Sequence, residues 1–68
     1  MKTLANFRKD FEEIIEDPNT NRRDVRLANL MSEMEGTIQI PLLQNLEWEA
    51  QHPEEIKLYR EISNARVL

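Results

Sequence analysis

The Glu49-Ala50-Gln51-His52 segment is the first candidate for chemistry in this 68-residue chain. Glu-x-x-His places a carboxylate and an imidazole one turn apart on a helix, the spacing used by di-iron helical bundles. A metal site needs further ligands, and the chain has one histidine and no cysteine. His52 also directly precedes Pro53, where a helix should end. We therefore expect Glu49 to be solvated, His52 to cap the next helix, and the chain to bind no metal and no cofactor.

Nucleophilic catalysis has little support in the residue pattern. Ser32 and Ser63 fall inside predicted helices, without a histidine and an acid placed to activate either one. A glycine-rich phosphate loop is excluded by the single glycine. The carboxylates are spread evenly, as on solvated helix faces. We predict a protein that is not an enzyme and has no small-molecule substrate.

A third cluster is basic and lies beside an acidic one. Arg22, Arg23 and Arg26 open the second predicted helix, and Glu13, Glu16 and Asp17 close the first. Each set opposes the dipole of its own helix. We expect the two sets to neutralise each other across the turn, although the arginines could instead be held for an acidic partner.

The same arginines allow an alternative function, a small DNA-binding transcriptional regulator that uses Arg22, Arg23 and Arg26. A helix-turn-helix protein reads DNA with its second helix. The helix that would follow here has no lysine or arginine, and it carries Glu47 and Glu49. The formal net charge of −4 also opposes contact with phosphates. Nucleic acid is therefore not the partner that we expect.

The elements that must position these residues are helices. Caps and breakers predict one all-α domain over residues 1–68, a small bundle of three to four short helices that begins with an antiparallel helical hairpin. Thr3 and Asn21 are the expected N-caps of the first two helices, and Gly36 is the expected end of the second. Pro41 suits the first position of the third helix. The predicted helices span about 4–17, 22–35, 41–51 and 53–66.

Apolar residues at helical spacing predict the core. Ile38 and Ile40 are expected to enter it from an extended link between the second and third helices. The fourth helix has an apolar face wide enough for two neighbours. The four predicted stripes are Leu4, Phe7, Phe11, Ile14 and Ile15; Leu27, Leu30, Met31 and Met34; Leu42, Leu43, Leu46 and Ala50; and Ile56, Leu58, Tyr59, Ile62 and Ala65.

Trp48 falls on the opposite side of its helix from the predicted stripe. Either the fourth helix wraps that side, or Trp48 is offered to a partner, since tryptophan is the residue type most enriched at binding hot spots. A chain this short has difficulty burying Trp48, Val25 and both flanks of the fourth helix. The hypothetical partner-binding residues are Trp48, Tyr59, Val25, Arg22 and Arg26.

These observations predict a small acidic protein-protein interaction or regulatory module, expected to form a homodimer. No apolar run approaches the ~20 residues that span a bilayer, and the start of the chain does not resemble a secretory signal. The chain also lacks cysteine. We therefore expect a cytoplasmic protein that does not bind membranes.

Overall fold

The computed structural model describes residues 2–41 and 43–66, and within them the protein is all-α, as predicted. Three helices, α1, α2 and α4, pack around one core, whereas the short α3 packs against α4 alone among the described helices. None of the described helices is both long enough and apolar enough to cross a membrane. The helices are α1 (Leu4–Ile15), α2 (Thr20–Ile38), α3 (Leu46–Gln51) and α4 (Pro53–Ala65).

The start of α1 is capped as the sequence predicts. The Thr3 hydroxyl accepts a hydrogen bond from the backbone N–H of Asn6 at 3.3 Å, and the Asn6 side chain accepts one from the Thr3 N–H at 3.1 Å. This reciprocal capping box satisfies two of the free N–H groups at the helix start. The helix ends at Ile15, two residues earlier than predicted.

The predicted start of α2 was wrong by two residues. The helix begins at Thr20, and its N-cap is Asn19, whose side chain accepts a hydrogen bond from the Arg22 N–H at 2.9 Å. The Asn19 N–H in turn donates to the Asp17 carboxylate at 3.0 Å. Asn19 and Asn21 are equally good caps by residue type. The tight turn at Asp17 selects the earlier one.

The predicted end of α2 at Gly36 was also wrong. The helix continues through Ile38, and Gln39 takes the left-handed conformation that ends it, with φ of 59°. Glycine favours a helix end but does not enforce one. The longer helix leaves Ile38 partly buried and Ile40 buried against the core, so both isoleucines reach the core as expected, although Ile38 does so from the helix.

The third helix starts later than predicted. It begins at Leu46, and Asn45 is its N-cap, accepting a hydrogen bond from the Trp48 N–H at 3.0 Å. Pro41 is therefore outside the helix. One strong cap, placed four residues after the proline, defines the start instead.

The predicted core stripe of this helix was reversed. Leu43 is 83% exposed and Leu46 is 72% exposed, and Ala50 is exposed as well. Trp48 packs against the core from the opposite side. Leu42 lies outside the described residues. The helix has only six residues and one neighbouring helix, so only one of its sides is covered, and the tryptophan occupies that side.

The stripes predicted for α1, α2 and α4 are confirmed at their centres. Ile15 is the exception, at 42% exposed. Met34 is fully buried and Met31 is packed against the core, so both methionines fill the interior. The buried hydrophobic residues are Phe7, Ile14, Leu27, Leu30, Met34, Ile40, Leu58 and Ile62.

Charged contacts at its two ends show that α1 and α2 form an antiparallel hairpin. Lys2, just before α1, pairs with Asp10 on α1 and with Glu33 in the last third of α2. At the opposite end, Arg22 in the first turn of α2 pairs with Asp17, just after α1, at 2.7 Å. The hairpin is therefore joined by charge at both ends and by apolar packing between them.

Candidate protein-binding surface

A surface of mixed apolar and polar residues is left open where α3, α4 and the link before α3 meet. It contains two neighbouring depressions. The first, which we call the inner groove, has a volume of about 350 Å³ and lies between the link, Trp48 on α3 and Tyr59 on α4. Its lining residues are Ile40, Pro41, Leu43, Gln44, Asn45, Trp48, Glu49, Ile56, Tyr59, Arg60 and Ser63.

The second depression, which we call the outer depression, lies on the other side of α3. It is broader, with a volume of about 530 Å³. Leu46 and Ala50 on α3 and Pro53 on α4 give it apolar walls, and Lys57 and Glu61 on α4 line it as well. The side of α3 that the sequence assigned to the core therefore faces this depression.

A divider separates the two depressions, formed by residues that line both. Glu49 on α3 and Arg60 on α4 are joined by a 2.6 Å ion pair, and Ile56 lies beside them. The Glu49 side chain is only 15% exposed, so it is not the freely solvated group that we expected. Its charge is neutralised by Arg60, and the divider has no net charge.

Trp48 is covered by its own chain on one side and lines the inner groove on the other. Its ring stacks on His52, with ring centroids 4.4 Å apart and an interplanar angle of 22°. His52 Nδ1 lies 2.8 Å from a Glu55 carboxylate oxygen. The stack fixes the indole as one wall of the groove. His52 holds the N-cap position of α4 as expected, but its ring makes no capping hydrogen bond.

Tyr59 lies across the inner groove from Trp48 and is half-buried. Burial, followed by the nearby carboxylate of Glu35 on α2, raises the pKa of its phenol. Both causes disfavour the phenolate. Tyr59 therefore contributes a neutral aromatic ring to the groove, while its hydroxyl is hydrogen-bonded to Glu35.

The predicted acid–arginine clasp is confirmed for three of its six residues, Asp17, Arg22 and Arg26, with Asp17 at its centre. Arg22 donates Nε to one carboxylate oxygen at 2.7 Å and Nη2 to the other at 2.9 Å, and Arg26 Nη1 lies 3.4 Å from the same group. Asp17 is only 8% exposed. Hydrogen bonding from Arg22, followed by the Asn19 N–H, holds the pKa of Asp17 well below its usual range.

This clasp places Arg22 and Arg26 at the turn of the hairpin, outside both depressions. Of the three acids predicted to neutralise the arginines, Asp17 is the one that pairs with them in the described part of the chain. Bidentate Arg–carboxylate pairing has a fixed geometry. The two arginines therefore have a structural role, which is to pair with Asp17 at the hairpin turn. A role in partner binding stays a prediction.

Val25 lies at a third location. It is 60% exposed and lines a shallow depression of about 350 Å³ with Ala28 and with Arg66, just after α4. The five predicted partner-binding residues are thus divided among the inner groove, the clasp and this patch on α2. Trp48 and Tyr59 line the inner groove together, and Arg22 and Arg26 share Asp17.

Leu43 and Leu46 are the surface residues that sequence reasoning missed. Their spacing fitted a helix starting at Pro41, which placed both in the core. The signal that could have found them is Asn45, an N-cap residue type followed by acids at Glu47 and Glu49. When the helix starts after Asn45, Leu43 lies before the helix and Leu46 lies on its exposed side.

No metal site is formed by the Glu-x-x-His segment within residues 2–41 and 43–66. Glu49 is paired with Arg60 and His52 contacts Glu55, so the two side chains have different partners. No group of three or more acidic or histidine side chains in that part of the chain is arranged to hold a metal ion. Comparison with known protein families, with curated proteins and with solved structures gave no match.

Proposed function

We propose that this chain is a non-enzymatic protein-binding module that self-associates through the surface of α3 and α4. One observation carries the proposal. Two leucines, Leu43 and Leu46, stand 83% and 72% exposed beside two neighbouring depressions, one of which has a wall of tryptophan and tyrosine. Single exposed apolar residues are common, but a contiguous apolar patch marks an interaction site.

The chemistry of the surface supports a protein partner. Trp48 and Tyr59 are aromatic residue types that dominate the energy of protein interfaces. The paired charges of Glu49 and Arg60 lie between the two depressions and neutralise each other, so covering them leaves no unpaired charge. Such a surface gains most from covering by apolar groups, which supports protein binding over chemistry on a small substrate.

DNA binding is not adopted as the function. Arg22 and Arg26 share the buried carboxylate of Asp17, whose negative charge offsets part of their positive charge. Binding to DNA depends on arginine and lysine charge presented to phosphates. A cytoplasmic location remains part of the proposal and is supported by the absence of cysteine.

The proposal is tested by measuring molar mass across a concentration series, with light scattering after size exclusion. We expect the wild type to move from monomer to dimer as concentration rises. Leu46→Ser should shift this transition to higher concentration, because it removes apolar area from the open surface. Ile15→Ser is the matched control, since Ile15 is 42% exposed on α1, outside both depressions.

Two outcomes would reject the proposed surface. If the wild type stays monomeric at every concentration, self-association is ruled out. A dimer weakened by Val25→Ser and not by Leu46→Ser would place the interface on α2.

Fluorescence gives a second readout, because the chain has one tryptophan. Its emission should shift to shorter wavelength as the dimer forms and covers the open side of Trp48.

A further inference from the structure

We propose that α3 is a hinged flap, which opens from α4 and closes again while the other three helices stay folded. In the open state the inner groove and the outer depression join into one cleft along α4. The flap is a property of the single chain, so it goes beyond the proposed self-association and does not depend on it.

Burial separates α3 from the other described helices. None of its residues is buried, whereas α1, α2 and α4 each contain at least two buried side chains. A helix of six residues is also too short to be stable by itself. Contacts with the neighbouring structure therefore hold α3 in place, and opening it uncovers less apolar surface than opening any of the other three.

Two residues of α3 make the contacts that hold it closed, since its other four residues are exposed. Trp48 packs against the core, and Glu49 forms the 2.6 Å ion pair with Arg60 on α4. The Trp48–His52 stack joins α3 to its own C-cap, and His52 contacts Glu55 where the chain passes into α4. Away from this junction, α3 is therefore held by one aromatic contact and one ion pair.

Both ends of α3 allow it to move as a unit. Residues 43–45, directly before it, are exposed, and Ile40 is the nearest described residue that is buried on that side. At the other end, Pro53 occupies the first position of α4, where its missing N–H needs no partner. The His52 carbonyl oxygen accepts a hydrogen bond from the Ile56 N–H at 3.1 Å, and α4 also packs against α1 and α2. The hinge therefore lies at His52, and α4 keeps its place as α3 opens.

Opening changes the shape of the surface, because the ion pair that holds α3 is also part of the divider. When Glu49 moves away from Arg60, the depressions of about 350 Å³ and about 530 Å³ become continuous. Ile56 and Tyr59 stay on α4 as the floor of the joined cleft. The Arg60 side chain is already 53% exposed in the closed state, so opening leaves neither charge buried without a partner. The flap thus sets the size of the group that this surface admits.

Hydrogen exchange, measured by mass spectrometry, tests the flap in the intact chain. The concentration is kept low enough for light scattering to show a monomer. The Glu49 N–H donates to the Asn45 carbonyl oxygen at 3.0 Å. The His52 N–H donates to the Trp48 carbonyl oxygen, also at 3.0 Å. Both groups exchange once α3 is released, because a helix this short unwinds when it is not held.

We expect the α3 peptide to be protected at least about tenfold less than the peptides of α1, α2 and α4, after correction for intrinsic exchange rates. Low concentrations of urea should leave its exchange rate unchanged, since a local opening exposes little surface. If α3 has the same protection and the same urea dependence as the hairpin, the proposal is overturned, because α3 then opens only when the whole chain unfolds.

The ion pair supplies matched variants. Glu49→Gln should speed exchange of the α3 peptide by about three- to tenfold, because it removes one of the two contacts that hold the flap. Glu47→Gln makes the same change at an exposed position of α3 and should leave the rate near that of the wild type. Unchanged protection of the α1 and α2 peptides shows that both variants are folded. Equal α3 rates in the two variants would overturn the proposal.

Arg60→Gln removes the same ion pair from the side of α4. It should speed exchange of the α3 peptide as much as Glu49→Gln does. The double variant should exchange no faster than either single variant, because the contact is lost only once. Additive increases would show that the two residues act separately, and would overturn the ion pair as the contact that holds α3.

The outcomes for the flap and for the proposed function are separate. Fast exchange confined to α3 in a chain that is monomeric at every concentration supports the flap and rejects self-association. Equal protection across all four helices in a chain that dimerises at higher concentration rejects the flap alone.

Discussion

The α1–α2 hairpin and the short helix α3 are built differently, although both are amphipathic segments of one small chain. The hairpin buries Phe7, Leu27 and Met34 completely and is joined by ion pairs at both ends. The outer side of α3 instead leaves Leu46 in solvent. Apolar residues are therefore buried and stabilise the fold in the hairpin, whereas on the outer side of α3 they lie in solvent.

Truncation of a core residue should give the largest contrast between the two regions. Phe7→Ala removes a fully buried ring at the centre of the hairpin and should cost about 3–5 kcal/mol. A domain of this size has net stability of about the same magnitude. We therefore expect loss of the cooperative thermal transition measured by circular dichroism.

Leu43→Ala is the control for this comparison, because Leu43 is 83% exposed. Surface changes of this kind usually alter stability by about 0.5 kcal/mol or less. The melting temperature should stay near that of the wild type. If Leu43→Ala unfolded the protein as Phe7→Ala does, the contrast between a buried hairpin and an open surface would fail.

Loss of the Asp17 carboxylate should have the next largest effect. Asp17→Asn keeps the size of the side chain but leaves Arg22 and Arg26 without the shared negative charge. We expect a lower melting temperature at neutral pH. Glu16→Gln, a change of the same type at the exposed neighbouring position, should have little effect.

The same clasp predicts a dependence on acid. Because the folded-state pKa of Asp17 is lowered, its stabilisation is complete above the ordinary aspartate pKa and is lost as pH falls below about 4. Melting temperature measured between neutral pH and pH 2 should therefore fall less steeply in Asp17→Asn than in the wild type. Parallel curves would show that other groups control acid unfolding.

Apart from the two controls, Gly36→Ala should have the smallest effect on stability, and its sign is informative. Gly36 lies inside α2 without a positive φ, and no atom lies within 4 Å of where a Cβ would be. Alanine in a helix interior is favoured over glycine by about 1 kcal/mol. Thermal unfolding should therefore show a modest stabilisation. A destabilised variant would indicate that Gly36 takes a left-handed conformation and ends the helix, as the sequence pattern suggested.

Much of the fold could be predicted because helix periodicity is a local property. The residues at the centres of the stripes of α1, α2 and α4, such as Phe7, Leu27 and Ile62, are buried as expected. Element boundaries were less predictable, because competing signals stood close together. Asn19 competed with Asn21 as the cap of α2, and Asn45 competed with Pro41 at the start of α3.

The candidate surface was predicted in part. Trp48 was predicted from its position opposite the stripe of its helix, and Tyr59 from the wide apolar face of the fourth helix. Both line the inner groove. Leu43 and Leu46 were assigned to the core, because spacing alone does not show which side of a short helix is covered. The clasp was predicted from charge, but the choice of Asp17 over Glu13 and Glu16 required the geometry of the turn.

The sequence by itself determined the helical class, the amphipathic stripes of the three larger helices and the charge pairing at the hairpin turn. These follow from spacing and charge between residues that are near in the chain. Only the tertiary structure decided that α4 covers the Trp48 side of α3 and leaves Leu46 exposed. A six-residue helix has too few turns for its own pattern to select a side, so packing against its neighbour makes the choice.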